Sequence, residues 1–94
     1  MDTLEMVRTK EVFVDVRPPE VYRSGHIPGA LNIPLDLLKM SKEKLGDKDV
    51  HIAVYCQDGN RSARGVKILR DMGYKNVKDF GPITHWQGDL RSGK

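Results

Sequence analysis

The sequence predicts an α/β domain with a mostly parallel sheet between helices. Segments of strand length alternate with helix-like segments along the chain, in the order strand then helix, repeated to the end. Such alternation is typical of strands joined by helical crossovers. Residues 12–16 are apolar without in-and-out alternation, which favours a strand that is covered on both faces, as the strands of parallel sheets are.

Proline and glycine mark the elements that follow this first strand. Residues 18–20 read Pro-Pro-Glu, and proline followed by an acid suits a first helical turn, so we predict a short helix through Arg23 that ends at Gly25. Residues 31–33 form a short extended piece. Pro34 then opens a second helical pattern, whose apolar face carries three leucines: Leu35, Leu38 and Leu45.

The longest helix is predicted after a second clear strand, residues 51–55. Ser62 is the expected N-cap and Gly73 the expected stop, because these residue types favour those positions. The apolar stripe of this helix is predicted to consist of four residues: Ala63, Val66, Leu69 and Met72.

The last elements are a strand over residues 76–80 and a helical turn that starts at Gly81-Pro82 and holds Trp86. We expect Trp86 to pack in or beside the core, because a lean core benefits from a large side chain. Residues 89–94 are polar and are expected to fray. The 94 residues predict one domain, residues 1–94, with its core over about residues 12–88.

Composition argues against several classes of function. The chain is 38% hydrophobic, and no window approaches the roughly 18 apolar residues that span a membrane. The net charge of +3 is spread along the chain, which does not favour nucleic-acid binding. One cysteine forbids an internal disulfide, and three scattered histidines lack metal-ligand spacing, so we expect no metal and no other cofactor. We expect a monomer in the cytoplasm, or in the periplasm if a signal peptide has been removed.

The chemistry is predicted to lie in the loop after the second clear strand. Cys56 stands at the end of that strand, and the next residues are Gln57, Asp58, Gly59, Asn60, Arg61 and Ser62. If this segment wraps around the sulfur, backbone N–H groups and a helix N-terminus stabilise a thiolate or a persulfide. Spacing alone leaves another interpretation open, because a lone cysteine at a strand end is more often a small buried apolar side chain.

Three segments carry a resemblance to a known family. The first is residues 15–17, Asp-Val-Arg, with Glu20, Tyr22 and residues 25–34; the second is residues 54–62; the third comprises Gly73-Tyr74, Val77, Gly81 and Trp86. In this order they resemble the rhodanese-like domains, and the likeness extends over about residues 12–88.

The resemblance implies a rhodanese-like three-layer fold with about five mostly parallel strands flanked by helices. It implies that Cys56 is the persulfide-forming nucleophile and that residues 57–62 bind the substrate. Sulfur would then pass from a donor such as thiosulfate to cyanide or a cellular thiol. Related phosphatases use the longer spacing Cys-x5-Arg, whereas Cys56 and Arg61 have the Cys-x4-Arg spacing of sulfurtransferases.

Two departures from the family pattern affect these expectations. Asp58 is an acid where thiosulfate-using members often carry a basic or neutral residue, and its charge would repel the sulfonate, although Arg61 offsets it. We therefore do not expect thiosulfate to be the natural donor. The second departure is Gly81-Pro82 in place of a glycine pair, which we expect to change a turn without touching the chemistry.

Other residues of the motif have a structural interpretation. We expect Asp15, Arg17, Glu20 and His26 to form ion pairs and hydrogen bonds that tie the first strand to its following loop. A Cys–His hydrolase would need a histidine oriented at Cys56, and the histidines are candidates by composition only. The alternative to an enzyme is a module that relays sulfur to another protein or simply binds one.

Overall fold

The computed structural model describes residues 11–93, and its centre is a parallel sheet in the order β2-β1-β3-β4. The strands are β1 (Val12–Asp15), β2 (Leu31–Asn32), β3 (His51–Cys56) and β4 (Asn76–Pro82). All three strand pairs are parallel. The predicted α/β class is thus confirmed, and the four strands described come close to the five that the family resemblance implied.

The two central strands are buried on both faces, as the apolar run in β1 predicted. One face carries Val14, Val54 and Cys56 in a cluster with helical residues such as Leu69, and the other face carries Tyr55 with Ile27 and Ile83. Side chains alternate between faces along a strand, so β1 and β3 each contribute side chains to both clusters. The sheet is therefore the middle of three layers.

Within residues 11–93, five helical segments flank the sheet. They are α1 (Pro19–Ser24), a 3-10 helix (Leu35–Met40), α2 (Lys42–Leu45), α3 (Asn60–Asp71) and a second 3-10 helix (Ile83–His85). Helix α1 matches its prediction, since it has proline in its first turn and ends at Gly25, whose N–H donates to the Tyr22 carbonyl at 3.1 Å. The second predicted helix is divided at Ser41, because the buried Ser41 hydroxyl donates to the Leu38 carbonyl and closes the 3-10 segment. None of the helices within residues 11–93 has the length and apolar character needed to cross a membrane.

The predicted start of α3 at Ser62 is wrong. The helix begins at Asn60, with Gly59 as its N-cap in the left-handed region at φ +94°. Ser62 lies inside the first turn, where its hydroxyl donates to the Gly59 carbonyl at 3.0 Å. The N-cap Gly59 has no side chain to cap the helix. Just before it, Asp58 Oδ1 accepts the Asn60 N–H at 3.1 Å in an Asx turn.

The buried face of α3 also differs from the predicted stripe. Ala63 is exposed, and the buried residues are Ser62, Gly65, Val66 and Leu69. Two of these are small, which lets the helix approach the sheet closely, and a count of large apolar residues does not detect that.

The end of α3 confirms its prediction. Gly73 has φ +104° and donates its N–H to the Arg70 carbonyl, while the Tyr74 N–H donates to the Leu69 carbonyl. These two bonds form a Schellman motif, which needs the left-handed backbone that glycine adopts readily.

Strand β4 is longer than predicted. It runs to Pro82, so the helical turn starts at Ile83 and not at Gly81-Pro82. Val54 pairs with Asp79 while Tyr55 pairs with Gly81, so Phe80 is an extra, bulged residue. Its ring packs edge-on against Phe13, 5.4 Å away between centroids.

The C-terminal residues are tied to the domain rather than frayed. His26 and Arg91 exchange two backbone hydrogen bonds of 2.8 Å, and the Gly93 N–H donates to the Arg23 carbonyl at 2.7 Å. Trp86 packs, as predicted, against the apolar cluster that contains Tyr55 and Ile83, and the centroid of its ring lies 5.8 Å from that of Phe13. The extent of the domain beyond the described residues stays a prediction.

Candidate active site

Cys56 is the last residue of β3, and the loop that follows it leads directly into α3. Its side chain belongs to the core cluster between the sheet and α3, and only 1% of the residue is exposed. The carboxyl end of a parallel strand beside a helix N-terminus is the usual ligand position in α/β folds. The thiol therefore lies where the sheet topology favours an anion.

Two backbone N–H groups point at the Cys56 sulfur. The Gly59 N–H donates to Sγ at 2.9 Å and the Ser62 N–H at 3.2 Å. Gly59 can place its N–H there because its left-handed backbone turns the chain back over the sulfur. Both donors belong to the start of the 12-residue helix α3, whose dipole adds positive potential. This arrangement favours an anionic sulfur.

Asp58 places a carboxylate beside that sulfur. Its Oδ1 lies 4.0 Å from Sγ, and it also accepts the Asn60 N–H. Its Oδ2 accepts the Asn60 side-chain amide at 3.2 Å. The carboxylate is thus held in place by Asn60, and its negative charge opposes the effect of the two N–H donors.

Arg17 links this loop to β1. Its Nη1 donates to Gln57 Oε1 at 3.1 Å, while Nε and Nη2 donate to the Asp15 carboxylate at 3.0 and 2.6 Å. Nη2 also donates to the Gly25 carbonyl at 2.6 Å. The pKa of Arg17 is raised above its ordinary value, since burial lowers it but the hydrogen bonds and charge of Asp15 outweigh that effect. The Arg17 guanidinium therefore stays protonated and holds Gln57.

The sequence did not reveal two residues, Asn32 and Tyr55, whose hydrogen bonds support this network. The Asn32 side-chain amide donates to the carbonyls of Asp15 and Arg17, at 3.1 and 2.9 Å. The Tyr55 hydroxyl accepts the Ile27 N–H at 3.1 Å. Both residues lie within predicted strands, where a side-chain hydrogen bond to a distant backbone leaves no local pattern.

Glu20 and His26 were both predicted to form ion pairs or hydrogen bonds that tie β1 to the loop after it, and among the described residues only His26 forms a side-chain hydrogen bond. His26 is buried, stacks on Tyr22 at 3.7 Å between ring centroids, and has Nδ1 2.9 Å from the Tyr22 carbonyl. Glu20 is exposed and makes no side-chain hydrogen bond or ion pair within residues 11–93, so its predicted tie is wrong. It lies in the first turn of α1, where solvent satisfies its charge.

Histidine does not reach the sulfur within the described part of the chain. The ring of His85 lies 3.3 Å from the Phe80 carbonyl, and His51 is exposed at the opposite end of β3 from Cys56. No group of three potential metal ligands lies together within residues 11–93.

Pro82 lies beside the loop that follows Cys56. It is the β4 partner of Cys56, and its Cδ lies 3.4 Å from the position that a Cβ on Gly59 would take. Pro82 therefore packs against the loop that follows Cys56.

Comparison with known proteins identifies the family. A family model described as Rhodanese-like domain matches residues 2–88. The chain belongs to the rhodanese-like family. The resemblance noted in the motifs is thereby confirmed.

Relatives of this rhodanese-like domain include named sulfurtransferases. Thiosulfate sulfurtransferase PspE of Escherichia coli is 41% identical over 77 residues, which are 78% of this chain and 71% of that protein. Adenylyltransferase and sulfurtransferase uba4 of Ogataea parapolymorpha is 42% identical over 82% of this chain, which spans 20% of that protein. A solved structure described as rhodanese with anions from E. coli has a TM-score of 0.84 at 36% identity, over 88% of this chain and 99% of that chain.

The sulfur of the rhodanese-like domain borders a small pocket. Its volume is about 300 Å³, and its walls include Cys56, Gln57, Asp58 and Arg61 from the loop, with Arg17 and Pro18 from the segment after β1. Arg61 is exposed and lines this pocket. A small anion in the pocket would lie beside Cys56, with the cation Arg61 and the acid Asp58 both among the lining residues.

Proposed function

We propose that this rhodanese-like domain transfers sulfane sulfur through a persulfide on Cys56. The observation that carries the proposal is the pair of N–H groups of Gly59 and Ser62 on the sulfur, at 2.9 and 3.2 Å. Fixed donors of this kind stabilise negative charge without reorganisation. They suit both the thiolate that attacks and the persulfide anion that results.

In the first half-reaction, the Cys56 thiolate attacks the outer sulfur of a donor such as thiosulfate. A new S–S bond forms to Cys56, the donor's own S–S bond breaks, and sulfite leaves with the electron pair. Arg61 in the pocket wall binds the anionic donor and the departing sulfite, since a guanidinium matches oxyanion geometry.

In the second half-reaction, an acceptor nucleophile attacks the outer sulfur of the persulfide. Its bond to that sulfur forms as the S–S bond to Cys56 breaks, and the Cys56 thiolate leaves with the electron pair. Cyanide yields thiocyanate, and a thiolate yields a new persulfide. The transfer is a double displacement with a covalent intermediate, which predicts ping-pong kinetics.

The first prediction tests Cys56 directly. Incubation with thiosulfate and cyanide should produce thiocyanate, and Cys56→Ser should abolish that production because a hydroxyl does not form the persulfide. Mass spectrometry of the unmodified chain after exposure to donor alone should show a gain of one sulfur atom.

A melting curve and circular dichroism spectrum of Cys56→Ser provide the control, since they show whether the variant is folded. Thiocyanate production that survives in the folded variant, or a sulfur gain that persists without Cys56, would contradict the proposal.

A further inference from the structure

A groove beside the Cys56 pocket has no role in the transfer of sulfur between small molecules. Its volume is about 840 Å³, against about 300 Å³ for the Cys56 pocket. Pro18 and Arg61 line both concavities, so the groove and the pocket are adjacent. Thiosulfate and cyanide need only the smaller space. The larger one falls in the range of sites that hold drug-sized ligands.

The groove has an apolar wall formed by the first 3-10 helix and α3. Leu35 and Leu37 contribute from the 3-10 helix and Ile68 from α3. Leu37 is 45% exposed, and the neighbouring Met40 is 77% exposed. Leu37 and Met40 also line an adjoining hollow of about 210 Å³. Exposed apolar side chains next to a concavity are typical of an interaction surface.

The rim of this surface is positively charged. Arg61, Arg64 and Lys39 line the groove and Lys44 lines the hollow, with Asp36 as the single acid among the lining residues. None of these four cations forms an ion pair or donates a side-chain hydrogen bond within residues 11–93. By contrast, Lys67, Lys75 and Lys78 each lie near a carboxylate. The cationic rim therefore has charge available for a partner.

We propose that this groove docks an extended, acidic segment of a sulfur-accepting protein. Apolar side chains of the segment would lie against Leu35, Leu37 and Ile68, and its Asp or Glu residues would meet Arg64 and Lys39. A thiolate of that segment would reach the Cys56 pocket past Arg61. We name this surface, residues Leu35, Leu37, Lys39, Arg64 and Ile68, the acceptor groove.

The proposal rests on the proposed function and concerns its second half-reaction. The thiolate of the docked segment attacks the outer sulfur of the Cys56 persulfide, the S–S bond to Cys56 breaks, and the Cys56 thiolate leaves with the electron pair. The acceptor protein then carries the persulfide. The cationic rim steers an acidic partner toward the site, and this effect weakens with salt.

The test compares two synthetic peptides as acceptors for the sulfur-loaded full chain. One contains leucines, aspartates, glutamates and a terminal cysteine, and the other replaces each acid by its amide. We expect kcat/KM to be about tenfold higher for the acidic peptide at low salt, and the gap to close at high salt. Equal values for the two peptides would overturn the proposal.

Two variants locate the effect on the acceptor groove. Arg64→Ala and Leu37→Ser should each raise KM for the acidic peptide about fivefold and leave thiocyanate production from cyanide unchanged. Lys67→Ala is the matched control, because Lys67 lies on the same helix and pairs with Asp71 at 3.4 Å outside the groove. It should change neither reaction. A loss with Lys67→Ala as large as with Arg64→Ala would show a general charge effect and overturn the proposal.

The same experiments separate this proposal from the function on which it rests. If the unmodified chain gives no thiocyanate and gains no sulfur, the proposed function fails. If it gives thiocyanate but Arg64→Ala and Leu37→Ser accept both peptides as the unmodified chain does, the acceptor groove alone fails. Sedimentation that shows a dimer broken by Leu37→Ser would identify a second copy of the chain as the occupant, and would also overturn it.

Discussion

Asp58 has two opposing effects at the scale of a single residue. Its carboxylate holds the start of α3 through the Asn60 N–H, at 3.1 Å, and it also lies 4.0 Å from the Cys56 sulfur. A negative charge at that distance costs an anionic sulfur about 1 kcal/mol even in water. The Asp58 carboxylate thus stabilises the start of α3 and destabilises an anionic sulfur on Cys56.

Asp58→Asn separates the two effects, because an amide oxygen still accepts the Asn60 N–H while the charge is gone. We expect kcat/KM for thiosulfate to rise about fivefold at low salt and less at high salt. Steady-state kinetics at two ionic strengths measure the change.

The control for that variant is Asp71→Asn, which removes an exposed charge at the other end of α3. It should leave the rate unchanged. Asp58→Lys should raise thiosulfate turnover further, but it also loses the acceptor for Asn60, so its stability must be measured alongside. An unchanged rate in Asp58→Asn would show that this charge does not act on the sulfur.

Contacts of single residues could be predicted only where they are local in sequence. The pairing of Asp15 with Arg17 follows from a motif two residues apart, and it forms. The bond from Arg17 to Gln57 joins residues 40 positions apart, and no pattern in either segment indicates it. Glu20 looked like a member of the same network, but its position on the outer side of a short helix leaves it in solvent.

Helix α3 illustrates the same distinction at the scale of an element. Its end at Gly73 could be predicted, because a Schellman motif is formed by the last turn alone. Its start could not, since the turn at Gly59 is shaped by the sulfur of Cys56 and by Asp58 in addition to the helix. The bulge at Phe80 likewise depends on the register of β4 against β3, which the sequence of β4 alone does not specify.

Gly65 tests how closely α3 packs on the sheet. A Cβ at this position would lie 3.1 Å from Val54 Cγ1 and 3.2 Å from Leu38 Cδ1. Alanine normally gains about 1 kcal/mol over glycine inside a helix, but overpacking a core costs about 1–3 kcal/mol. Because both neighbours are themselves buried, we expect packing to prevail and Gly65→Ala to lower the free energy of unfolding by about 1 kcal/mol.

Ala63→Gly is the matched variant for Gly65→Ala, since Ala63 is exposed on the same helix. It should lose about 1 kcal/mol through helix propensity alone. Urea denaturation measures both. A stabilised Gly65→Ala would mean that the sheet yields to the extra methyl group, and the close approach of α3 would then not be a packing requirement.

At the scale of the whole molecule, the side chain of Tyr55 in β3 packs in the core on the face of the sheet opposite α3. It is fully buried, and its hydroxyl accepts the Ile27 N–H at 3.1 Å. Its ring lies edge-on to those of Phe13 and Phe80. Burial raises the pKa of Tyr55 well above its ordinary value, and the charge of Asp15 raises it further. Ionisation of this hydroxyl is therefore tied to unfolding.

This linkage predicts a loss of stability in alkali. Above about pH 10 the unfolded chain loses its tyrosine protons, whereas the folded chain keeps the proton of Tyr55. The unfolded state then binds fewer protons than the folded state, so the free energy of unfolding falls as pH rises, by up to about 1.4 kcal/mol per pH unit for one tyrosine. Tyr74, whose pKa is raised by burial and then by the charge of Asp47, adds to the same trend.

Tyr55→Phe isolates the contribution of this one group. At pH 8 the variant should be less stable by about 1–3 kcal/mol, because the buried Ile27 N–H loses its acceptor. Between about pH 10 and pH 11 its stability should fall less steeply than that of the unmodified chain, so the two curves converge. Urea denaturation across this range measures the difference. Parallel curves would show that the Tyr55 hydroxyl ionises as readily in the folded chain as in the unfolded one. The loss of stability in alkali would then have another source than Tyr55.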